Sequence, residues 1–127
     1  MRLLAPALLR DLLAATDEAG LEALVEVHAA EELRVAIEAG ATLVGVNNRD
    51  LSTLRTDVSH SLKLARAARE AGSVWPDVAV SESGIRTREQ VEDLARAGYQ
   101  AVLVGEALLR SPDPAGAVRR LLGTEPR

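Results

Sequence analysis

Four times along the chain a helix-like stretch ends in nearly the same three residues, and an apolar run follows. The triplets are EAG at 18–20, 38–40 and 70–72 and RAG at 96–98. Glycine just past a helix closes the last turn in the left-handed conformation, which other residues reach only at a steric cost. The runs that follow read LEALVEVH, ATLVGVNN, SVWPDVAVSES and YQAVLVGEAL. They are nearly continuous in Leu, Val and Ala, a pattern suited to parallel strands covered on both faces.

Helical patterning fills residues 7–19, 29–39, 59–71, 88–97 and 114–122. TREQ at 87–90 fits a capping box, with Thr87 as N-cap and Gln90 reaching back to it. Pro112 and Pro114 mark the entrance to the last helix. Strand, helix and strand at intervals of 20 to 32 residues predict repeated βα units and a parallel sheet. No linker divides them, so residues 1–127 are expected to form a single domain.

Composition narrows the class. Of 127 residues, 47% are hydrophobic and 27% charged, with a net charge of -4, which fits a soluble globular chain. There is no basic patch for nucleic acid, and the charges intersperse along helical faces. The absence of cysteine removes disulfides, thiolate metal sites and cysteine nucleophiles. The opening MRLLAPALLRDLLAA mimics a signal peptide, but Arg10 and Asp11 interrupt its apolar run. No run reaches the roughly 20 apolar residues that cross a bilayer, so a cytoplasmic protein with no membrane partner is expected.

Each apolar run ends in groups that a buried strand avoids: Glu26 and His28, then Asn47, Asn48, Arg49 and Asp50, then Ser81, Glu82 and Ser83, then Gly105 and Glu106. In parallel βα architectures the C-terminal strand ends share one face, and that face carries the ligand site. His28 and Asp50 singly read as ordinary strand-end residues. Glu26, flanked by Leu24, Val25 and Val27, demands a partner or a substrate, because an ionised carboxylate in an apolar run is costly. Ser83 with Gly84, and Gly105 with the backbone after it, have the make-up of a phosphate cradle in the last two strand-end loops.

The segments LVEVH, VGVNNRDL, VSESGI and AVLVGEALL, in this order, resemble the C-terminal half of the indole-3-glycerol phosphate synthase family. The resemblance implies an α/β fold in which parallel βα units form the C-terminal half of a TIM (βα)8 barrel. It further implies a carbon–carbon lyase of tryptophan biosynthesis that works without cofactor or metal. Such enzymes close the ring of 1-(2-carboxyphenylamino)-1-deoxyribulose 5-phosphate, with loss of carbon dioxide and water. By motif, Glu26 and Glu82 correspond to catalytic carboxylates. Asn47 corresponds to a catalytic residue close to the substrate, and Arg49, Ser83, Gly84, Gly105 and Glu106 correspond to substrate and phosphate ligands.

By the same resemblance, MRLLA is the tail of the fourth strand, and the family's essential lysines belong to the half that precedes it. The single lysine here, Lys63, falls on a helix and reads as a solvated position. The chain alone is therefore expected to be inactive, and to self-associate or pair with an N-terminal half barrel. Two other readings stand beside this one: a non-catalytic half barrel that binds phosphorylated metabolites, and another phosphate-binding barrel family. Trp75 reads as a packing residue remote from Tyr99, and His28 as a satisfied structural histidine.

Overall fold

The computed structural model describes residues 4–124. Its elements are α1 (Pro6–Glu18), β1 (Leu24–Val27), α2 (Ala30–Glu38), β2 (Leu43–Asn47), α3 (Ser59–Glu70), β3 (Val78–Glu82), α4 (Arg88–Ala97), β4 (Ala101–Leu103), α5 (Glu106–Leu109) and α6 (Pro114–Leu122). The five helices expected from patterning are present within about a residue at each end. Gly20, Gly40, Gly72 and Gly98, which close the repeated triplets, all have positive φ. The Thr87 and Gln90 capping box forms in full, and Asp113 caps the helix that opens at Pro114. The short α5 is not among the helices expected from patterning; it starts at Glu106, directly after Gly105, where the fourth apolar run ends. Of the predicted MRLLA strand tail, residues 1–3 lie outside the described residues, and Leu4 and Ala5 are not in a strand.

The four strands form one parallel sheet in the order β1-β2-β3-β4. Its outer face presents Val25, Val27, Val44, Val46 and Ala79 to the helices, where they pack with Leu33, Leu64 and Leu94 in one buried cluster. Each of the buried Val and Leu side chains contributes about 2 kcal/mol through burial, and Ala79 less than half of that.

The inner face differs from the expectation of strands covered on both sides. Leu24 and Leu103 are 40% and 54% exposed, whereas Val80 and Glu82 on the central β3 are buried. In β1 burial alternates strictly. The edge strands have a neighbour on one side only, so their inward side chains stay in contact with water. Glu26 is consequently exposed, not embedded as its apolar neighbours suggest.

Candidate functional site

Register explains how the two carboxylates meet. On the inner face Glu26 of β1 pairs with Gly45 of β2, and Glu82 of β3 pairs with Asn47 of β2. Glu26 and Glu82 thus stand two strands apart, roughly 10 Å at the usual strand spacing. The strand between them has no side chain at the crossing point. Glu82 leans across Gly45, so a methyl group there would lie 2.7 Å from its Cδ and overlap Oε1.

Burial, and then the hydrogen bond and negative charge of Glu26, push the Glu82 carboxyl up to about 8. Oε1 of Glu82 is buried with no hydrogen-bond donor among the described residues, a position suited to a protonated carboxyl and hostile to an ion. One proton held between the two groups turns a repulsive pair into a hydrogen-bonded one. Asn47, half-buried beside Glu82, accepts the Arg49 N–H at its Oδ1 over 2.9 Å.

One residue beyond Glu82 the chain turns sharply: Ser83 and Gly84 have φ of 72° and 79°. This turn, the Gly105 backbone, Arg49 and Glu106 line a cavity of about 390 Å³. Arg49 is held by a bond from Nη1 to the Leu54 carbonyl (3.0 Å) and by an ion pair with Glu106 (3.2 Å). Glu106 also pairs with Arg110 (2.9 Å), so the cavity carries a carboxylate as well as a guanidinium. Glu26, Glu82 and Asn47 are not among its lining residues; the chain step from Glu82 to Ser83 joins the two groups.

Several sequence readings change in three dimensions. Tyr99 is remote from Trp75 in sequence, yet their rings meet edge to face at 5.3 Å, and Trp75 Nε1 donates to the Gly98 carbonyl (2.9 Å). Trp75 is a packing residue, but not a solitary one. His28 is not satisfied among the described residues: both ring nitrogens are buried with no hydrogen-bond partner there, beside a larger cavity of about 900 Å³. Lys63 also borders that cavity and is exposed, as expected. Among the described residues no helix is long and apolar enough to cross a membrane.

Asn48 is the residue that sequence reasoning undervalued. It is 4% exposed and bonded through every polar atom. Its signal lay in the register: it follows Asn47 onto the outer face, where Ser81 is the polar residue of the neighbouring strand.

Four parallel βα units, with polar groups gathered at one end of the sheet, define a protein of the βα-barrel class. Solved structures agree. A 3-hexulose-6-phosphate synthase superposes over 96% of this chain and 58% of its own (TM-score 0.73, 16% identity). A thiamine phosphate pyrophosphorylase from Pyrococcus furiosus does so over 87% and 52% (TM-score 0.64, 20% identity). At these identities the likeness concerns the fold alone.

Sequence narrows the class further: the profile of indole-3-glycerol phosphate synthase matches residues 1–121, and the chain belongs to that family. It is 50% identical over 120 residues to the indole-3-glycerol phosphate synthase of Carboxydothermus hydrogenoformans, covering 94% of this chain and 44% of that protein. Against indole-3-glycerol phosphate synthase 2 of Streptomyces coelicolor it is 47% identical over 120 residues, covering 94% and 45%. The chain thus spans less than half the length of these relatives.

Proposed function

We propose that this chain supplies the C-terminal half of an indole-3-glycerol phosphate synthase active site. The observation that carries the reading is the Glu26 and Glu82 pair, one residue from the Ser83 and Gly84 turn, in a chain of this family. The substrate's phosphate lies against Ser83, Gly84, Gly105 and Arg49. Its anilino ring and ribulose carbons then extend over the inner sheet face towards Glu82 and Glu26.

In the reaction the ring carbon bearing the carboxylate attacks the ribulose C2 carbonyl, whose oxygen takes a proton. Carbon dioxide leaves from the ring carbon, and the new hydroxyl takes up a proton and leaves as water while the neighbouring ribulose C1 gives up a proton, which completes the indole ring. A carboxyl that keeps its proton near neutrality, beside one that can accept it, suits the proton movements of the dehydration. Asn47 holds the Arg49 backbone, and with it the start of the loop that carries the guanidinium.

Proton delivery to the C2 carbonyl is work for a lysine of the complementary half. Lys63, the chain's only lysine, borders the larger cavity and not the one beside Ser83. The exposed Leu24 and Leu103 on the edge strands give such a partner apolar contact surface.

The test is an indole-fluorescence assay with the carboxyphenylamino-deoxyribulose phosphate substrate. The chain is measured alone and mixed with a separately expressed N-terminal half of a related synthase. Activity only in the mixture supports the reading. Activity of the chain alone overturns the division of labour, and phosphate binding without activity in either sample favours a non-catalytic binding module.

A further inference from the structure

Behind the Ser83 and Gly84 turn, on the helix side of the sheet, lies a closed ring of hydrogen bonds. Asn48 Nδ2 donates to Ser81 Oγ (2.9 Å), the two serine hydroxyls Ser81 and Ser61 are 2.7 Å apart, and Ser61 Oγ donates to Asn48 Oδ1 (2.7 Å). Ser81 and Ser61 are fully buried. The Ser61 backbone N–H, which can only donate, also reaches Asn48 Oδ1 (3.0 Å). That bond fixes which end of the amide is oxygen, and so turns Nδ2 towards the Ser83 carbonyl, its second acceptor at 3.1 Å.

The consequence reaches the site through one peptide plane. In a trans peptide the C=O and the following N–H point in opposite directions. With the Ser83 carbonyl drawn inward by Asn48, the Gly84 N–H is directed outward, where Gly84 lines the cavity with Ser83, Gly105 and Arg49. No backbone carbonyl among the described residues takes that N–H. Ser83 is also left-handed, a conformation that a residue with a Cβ adopts only when its surroundings enforce it.

We infer that Asn48 is a positioning residue: by holding the Ser83 carbonyl it presents the Gly84 N–H to a phosphate in the cavity. This rests on the phosphate-cradle reading above. Asn48 touches no ligand itself, and Ser61 and Ser81 serve to orient its amide.

The experiment is a titration of the ¹⁵N-labelled chain with inorganic phosphate, read at the amide resonances of Gly84 and Gly105. Both resonances should move, Gly84 towards lower field as its N–H gains an anionic acceptor. Asn48→Asp, which keeps the shape but removes the donor, should bind phosphate at least tenfold more weakly and lose the Gly84 response. Tyr99→Phe is the control for general loosening, because it deletes the Tyr99 hydroxyl bond to the Ser61 carbonyl (2.7 Å) and leaves the ring intact. It should bind phosphate as the parent does.

Unchanged phosphate binding by Asn48→Asp overturns the inference. So does a parent chain in which Gly105 responds and Gly84 does not, a readout that stands even if the variant fails to fold; the cradle survives in that case. Silence at both glycines removes the cradle reading, and the inference with it.

Discussion

The Glu82 side chain lies across the backbone of Gly45, occupying the volume where any other residue would place its Cβ. That overlap lets a carboxylate on β3 reach one on β1 over an intervening strand. It also makes a residue without functional groups a determinant of proton affinity. Gly45→Ala should leave the fold intact, because only the mobile end of Glu82 must give way, and should return that carboxyl towards ordinary acidity. Carboxyl ¹³C titration of the variant and the parent measures the difference.

Stability should depend on pH in a way opposite to the common carboxylate case. Glu82 is raised from 4.5 to about 8 in the folded chain, so the fold holds a proton that the unfolded chain releases. The stabilisation is complete below about 4.5 and is lost as the pH rises through about 8. Melting temperature should fall across this window in the parent. Glu82→Gln should flatten the curve and melt above the parent on the alkaline side.

Glu106 holds Arg49 and sets a negative charge beside the cavity. A phosphate in the proposed cradle would have to compete with it. Removing one like charge at about 4 Å is worth about 1 kcal/mol in a well-solvated site, or roughly fivefold in affinity. Calorimetric titration with inorganic phosphate should show Glu106→Gln binding more tightly by about that factor, with the gain shrinking as salt is added.

Gly84→Ala should damage both stability and binding. A Cβ at this left-handed position would meet Thr56 Cβ at 2.9 Å. The conformation alone costs an alanine about 1–2 kcal/mol. Denaturant unfolding should show at least that loss, together with weakened phosphate binding, because Thr56 belongs to the loop that carries Arg49.

Much of this was legible in advance because local chemistry sets it. Capping residues, helix-closing glycines and four apolar runs located the helices and strands to within a few residues. Glu82, Ser83, Gly84 and Gly105 stood out as polar or flexible strand endings. What the sequence hid depends on neighbours distant along the chain. Glu26 reads as buried from LVEV, yet it faces the open side of an edge strand. The glycine inside LVGVN marks the close approach of another group in a strand, but only the register shows that this group is Glu82. Asn48 looks like one more polar terminator until Ser61 and Ser81, 13 and 33 residues away, close around it.

The edge-to-face contact of Trp75 and Tyr99 joins the chain's one indole to its one phenol. Tyr99 in turn bonds to the carbonyl of Ser61, a member of the ring that orients Asn48. The molecule therefore carries a built-in optical gauge: ultraviolet emission from a single tryptophan arises at the remote end of the scaffold behind the Ser83 and Gly84 turn. No other tryptophan contributes background light, so its intensity and wavelength report the tightness of that scaffold without any label.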